Sequence, residues 1–201
     1  SRQQQAEEVR VLRRHTQDHE HVQHTMSDPS RLPPKVLEEL VAWLNTKGFT
    51  HFVTLATNDP DLRSADRRVI GDLRGVDRMD ALVRRWDARM NRALVGPKWA
   101  KPLYEMDRMF AFYFLEKAST NPHWHALIRI DDDDPDRRAT KLKKLHELTE
   151  ENWLSIISSG STDVKRIYDQ EDVVNYVAKE LGRPVSYEHF IPADVFSTFE
   201  R

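Results

Sequence analysis

The stretch RMFAFYFLEKASTNPHWHALIRI, residues 108–130, decides how this chain is read. RMFAFYFLE and HWHALIRI are apolar enough to be strands, and the polar KASTNP between them reads as the connecting turn. Two strands joined this closely pair antiparallel. Side chains alternate along a strand, so Phe110, Phe112, Phe114 and Glu116 share one face of the first. His123, His125, Leu127 and Arg129 share one face of the second. If the hairpin pairs Glu116 with His123, then Phe114 lies opposite His125 and all three polar groups project from one side. Directly opposed Cβ atoms lie about 4.5–5.5 Å apart and same-face neighbours on one strand about 7 Å, a spread that can converge on one ion.

Two readings of this face are open. One is a packing strand that happens to be polar, since His-x-His alone is a weak signal. The other is a divalent metal site with His123, His125 and Glu116 as ligands. Neutral imidazoles with one carboxylate leave coordination positions free for a substrate. Glu116 joins the site only through the register of the hairpin.

Working outward, the remaining elements alternate helix with strand. Val36, Leu37, Leu40, Val41 and Leu44 recur at helical spacing, and Gly48 stops that helix. FTHFVTLATN, residues 49–58, reads as a strand. Met79, Leu82, Val83, Trp86, Met90 and Leu94 mark an amphipathic helix closed by Gly96 and Pro97. After the hairpin the acidic run 131–134 reads as a turn, and a helix follows from about Asp136 to Leu154. DVKRIY, residues 163–168, reads as a short strand. DQEDVVNYVAKELGRP, residues 169–184, is a helix with Asp169 as its N-cap and Gly182 past its end. The expected fold is α+β, a central antiparallel β-sheet with flanking helices. Residues 1–32 form a polar extension, helical or disordered, carrying His15, His19, His21 and His24; residues 33–201 form the folded domain.

Composition narrows the function classes. The chain of 201 residues has 39% hydrophobic and 32% charged residues, which describes a soluble, polar globular protein. No stretch approaches the run of about 18 apolar residues that a membrane helix needs, and the start shows no signal-peptide pattern. An intracellular protein without membrane partners is expected, cytoplasmic and nucleoid-associated if bacterial. With no cysteine, any metal must be held by His and carboxylate. The net charge is −2, yet residues 62–101 hold 11 basic and 5 acidic residues, a local excess of 11 − 5 = +6. Arg84, Arg85, Arg89 and Arg92 lie off the apolar stripe of their helix and are candidates for DNA phosphates, with a solvated face as the plain alternative. Trp99 is a candidate for stacking on bases, although burial is the more ordinary fate of a tryptophan.

The C-terminal helix adds a chemical group. Its core stripe is Val173, Val174, Val177 and Leu181. At about 100° per residue, Tyr176 falls roughly 115° from the centre of that stripe, with Lys179 beyond it. A phenol is thus presented at the stripe's edge with an ammonium one turn away. An amphipathic boundary tyrosine is the plain alternative.

Strand, His-x-His and Tyr-x-x-Lys in this order resemble the HUH endonuclease superfamily of rolling-circle replication initiators, plasmid relaxases and single-strand transposases. The matching segments are FVTLATN, His123-Trp124-His125, and Tyr176 with Lys179, over residues 48–182. The resemblance implies a metal-dependent DNA nickase and strand transferase of the single-tyrosine type. Tyr176 would be the nucleophile, assisted by Lys179, with Mg²⁺ or Mn²⁺ on His123, His125 and Glu116. It also implies a covalent 5′-phosphotyrosine intermediate, single-stranded or origin and element-end DNA as partner, and a separate helicase, since no Gly-x-x-x-x-Gly-Lys-[Ser/Thr] occurs here. Tyr168 stands eight residues before Tyr176, which departs from the two-tyrosine initiators. Two other classes stay open: a non-catalytic nucleic-acid-binding domain, and a phosphoesterase acting on small molecules.

Overall fold

The computed structural model describes residues 32–58, 73–116, 122–181 and 190–192. The elements run α1 (Pro34–Asn45), β1 (His51–Ala56), α2 (Leu73–Val95), a 3₁₀ turn (Pro102–Asp107), β2 (Phe110–Glu116), β3 (His123–Arg129), α3 (Pro135–Leu154), β4 (Ser161–Arg166), α4 (Gln170–Leu181) and β5 (Phe190–Pro192). The histidine-bearing extension lies outside the described residues apart from Leu32, which is buried. The fold class is the one the sequence pattern predicts.

Local chemistry sets the helix ends. Pro34 occupies the first turn of α1, where its missing N–H costs nothing, and Gly48 follows the helix at φ 64°. The acidic run before α3 does more than turn the chain. Asp134 is the N-cap, its carboxylate accepting from the backbone N–H groups of Asp136 and Arg137. Asp169 does the same for α4, accepting from the N–H of Asp172 at 3.2 Å.

The sheet has five strands in the order β4-β1-β3-β2-β5, and each neighbouring pair is antiparallel. Helices cover both faces. On one, Met79, Val83, Trp86 and Met90 of α2 and Leu145 and Trp153 of α3 pack on Val53, Leu55, Tyr113, Trp124 and Ile128. On the other, Val36, Leu40 and Trp43 of α1 and Val174, Val177 and Leu181 of α4 pack on Phe110, Phe112, Phe114 and Leu127. That double cover explains why every residue of β2 is buried and why its sequence is a continuous apolar run.

The α2 side contains one buried acid. Asp87 accepts from the Tyr113 hydroxyl at 2.7 Å and from the Asn91 amide at 3.0 Å. Burial raises its pKa, opposed by those two hydrogen bonds, and leaves it at about 7. Among the described residues, no helix is long and apolar enough to cross a membrane.

Candidate metal centre

The β2–β3 hairpin has the register on which the candidate site depends. Glu116 pairs with His123 and Phe114 with His125, so the three polar side chains share the face covered by α1 and α4. All three are buried, Glu116 at 7%, His123 at 8% and His125 at 5% exposure. Their ligand atoms lie within 4.8 Å of one another, and the group can hold a metal ion. Nε2 of His125 lies 2.7 Å from Oε2 of Glu116, and Nε2 of His123 lies 3.4 Å from the same oxygen. Burial by itself raises the Glu116 pKa. Hydrogen bonds from Tyr176 and His125 and the charge of the two imidazoles more than offset it, bringing the carboxyl down to about 2. Glu116 is therefore an anion at neutral pH, the form a cation needs.

Neighbouring chain fixes these groups from three sides. The His125 ring is stacked on Phe52 of β1 at 4.9 Å between centroids and lies 5.1 Å from Phe114. The buried Thr57, just past β1, donates to the carbonyl of Pro122 at 3.1 Å and so pins the residue that leads into His123. The Trp153 indole of α3 donates to the carbonyl of Ala56, whose partner across the sheet is His123. That approach needs Gly160, because a Cβ there would sit 2.6 Å from the indole nitrogen.

Helix α4 brings the phenol to the same place. Tyr176 is 40% exposed and donates a hydrogen bond to Oε2 of Glu116 at 2.7 Å. Its ring meets those of Phe52 and His125 edge-on at 6.1 and 6.0 Å. Lys179 is exposed on the same helix, in its last turn. Tyr168 is 89% exposed beneath the Arg166 guanidinium and belongs to the loop between β4 and α4.

The arginine helix lies elsewhere in the fold. Helix α2 packs on the face of the sheet opposite Glu116, His123 and His125. Arg85, Arg89 and Arg92 are exposed on that far side, while Arg84 pairs with Asp80 at 2.8 Å and Arg89 bonds Ser155. Their spacing in the sequence shows a polar stripe, and it carries no information about which sheet face the helix covers. Trp99 is half-buried, with the Arg108 guanidinium 5.6 Å from its ring, beside the start of β2. Glu116 is at the other end of that strand, roughly 20 Å away at about 3.3 Å per residue.

Phe52 and Thr54 are the site residues that sequence reasoning passed over. Both belong to a strand already recognised, and its alternation assigns them to one face; the missing fact is that β1 lies next to β3. Thr54 Oγ1 is 3.0 Å from Nδ1 of His125. No family model, curated protein or solved structure matches this chain.

Proposed function

We propose that this protein is a metal-dependent endonuclease that nicks single-stranded DNA and transfers the cut strand through a covalent bond to Tyr176. The observation that carries this reading is the convergence of a phenol and two imidazoles on one buried carboxylate oxygen. An acid and two histidines suffice for many hydrolytic metal sites. A helix-borne tyrosine aimed at the same ligand adds a nucleophile, and with the motif order it favours the HUH type of chemistry.

In this reading Glu116, His123 and His125 hold Mg²⁺ or Mn²⁺, and the two nitrogen donors suit Mn²⁺ better than Mg²⁺. Bound there, the ion supplies Lewis-acid polarisation of the scissile phosphate. Tyr176 attacks phosphorus through its phenolic oxygen, and the bond to the 3′-oxygen breaks. The phenol loses one proton and the departing 3′-oxygen gains one, so a 5′-phosphotyrosine and a free 3′-OH form with no co-reactant. Phenol is a poor nucleophile at neutral pH, with a pKa near 10. Its hydrogen bond to the ionised Glu116 orients the hydroxyl and draws its proton away from the oxygen that attacks. Lys179, one turn along α4, offsets charge on the phosphate. The covalent link conserves the bond energy, so a later 3′-OH can rejoin the strand without ATP.

The substrate is single-stranded DNA, or origin or element-end duplex opened locally, with strand separation left to another protein. Incubation with a pool of labelled single-stranded oligonucleotides and Mn²⁺ tests the proposal, with EDTA as control. Cleavage that EDTA abolishes supports it. Binding without cleavage in either condition identifies a non-catalytic nucleic-acid-binding domain instead.

A further inference from the structure

His125 meets a polar partner at each ring nitrogen. Phe52 and Phe114 fix the plane of the ring from the two adjoining strands. Nε2 then faces Oε2 of Glu116 at 2.7 Å, and Nδ1 faces Oγ1 of Thr54 at 3.0 Å. Thr54 is the residue directly across from His125 in the β1–β3 ladder, so backbone register maintains this contact.

A neutral imidazole carries one proton and one lone pair, and a metal ion takes the lone pair. For Nε2 to bind an ion, the ring proton must reside on Nδ1, where a buried N–H needs an acceptor. Without an ion, a neutral ring meets the Glu116 carboxylate by keeping its proton on Nε2, and Nδ1 then needs a donor. A hydroxyl is both. By rotating about its C–O bond, Thr54 accepts from Nδ1–H in the first state and donates to the Nδ1 lone pair in the second. A carbonyl in this place could only accept, and would leave the second state unsatisfied.

We infer that Thr54 is a positioning residue for the metal centre, holding His125 in the tautomer that offers Nε2 to the ion. This rests on the metal reading of Glu116, His123 and His125. Thr54→Val keeps the β-branched shape and removes the hydroxyl, so Nδ1–H loses its Thr54 acceptor when the ion is bound. Loss of such an outer partner weakens metal binding by about 10- to 100-fold.

The experiment is calorimetric titration of Mn²⁺ into the wild type, Thr54→Val and Thr54→Ser, each checked for folding by circular dichroism. Valine should weaken affinity by at least about tenfold, and serine, which restores the hydroxyl, should stay within a few-fold of wild type. Nitrogen-15 NMR of the wild type loaded with diamagnetic Zn²⁺ gives a second readout, which stands even if the valine variant does not fold. The His125 ring should be protonated at Nδ1 and bare at Nε2. A valine variant that binds Mn²⁺ like the wild type, a serine variant as weak as valine, or a proton on Nε2 with Zn²⁺ bound overturns the inference alone. A wild type that binds neither ion overturns it together with the metal reading.

Discussion

The hydroxyl of Tyr176 lies 2.7 Å from Oε2 of Glu116, although 60 residues of chain separate the two. Helix α4 is aligned by Val174, Val177 and Leu181, which are buried against the phenylalanine face of β2. The same burial therefore seats the helix and delivers its phenol to the carboxylate. Apolar packing on one side of α4 determines the position of a phenol on the other.

The three proposed ligands should be separable by metal affinity. His123→Ala and His125→Ala should each lose Mn²⁺ binding and cleavage, because each removes a nitrogen donor that nothing adjacent replaces. Glu116→Ala removes the anion and should weaken affinity in a way that raised Mn²⁺ partly restores. Calorimetry decides the matter: unchanged Mn²⁺ affinity in both histidine variants means that the site is misassigned.

The buried Asp87 predicts a pH-dependent stability unrelated to cleavage. Its folded-state pKa of about 7 lies above its ordinary value of 3.8, so its contribution is fully present below pH 3.8 and lost as pH rises through 7. The wild type should therefore lose stability over that interval, on the order of a few kcal/mol for such a shift. Asp87→Asn keeps the shape without the charge, and its urea midpoint should change far less with pH. Equal slopes for the two proteins would show that another group is responsible.

Phosphate contacts should come from the α4 side of the sheet. Each neutralised phosphate steepens the salt dependence of single-strand binding by about 0.7 in log–log slope. Lys179→Gln should flatten that slope by about this amount on a short oligonucleotide spanning the cleavage point. Arg85→Gln with Arg89→Gln should leave it unchanged, since both residues lie across the sheet from Glu116. A flattened slope in the double arginine variant would put the DNA on the α2 face.

Gly160 should tolerate no side chain. The carbonyl of Ala56 and the Trp153 indole meet over it, and Gly160→Ala drives a Cβ to 2.6 Å from the indole nitrogen. Thermal unfolding should fall by several degrees, since overpacking a close-packed site costs about 1–3 kcal/mol. An unchanged melting temperature would mean that the contact yields freely.

Much of this arrangement is legible before any coordinates. Period-two alternation puts Glu116, His123 and His125 on one face once the hairpin register is chosen, and period 3.6 sets Tyr176 at the edge of its stripe. Those are local signals, complete within one or two elements. The side of the sheet that the arginine helix covers was not legible, because amphipathicity says that α2 packs on something, and only sheet order says on which face. Strand β5 escaped notice because three residues, Phe190–Pro192, carry too little pattern to stand out. Thr54 and Phe52 depended on β1 and β3 being neighbours, a pairing across 71 residues for Thr54 and His125 that no local period encodes.

The central claim is that the Tyr176 hydroxyl becomes the covalent link to DNA. The most direct measurement is mass spectrometry of the protein after incubation with single-stranded oligonucleotides and Mn²⁺, comparing wild type with Tyr176→Phe. The wild type should carry an oligonucleotide adduct that maps to Tyr176 after proteolysis, and the variant should form none while binding DNA within a few-fold of wild type. An adduct that persists in Tyr176→Phe, or one that maps to Tyr168, would contradict the account.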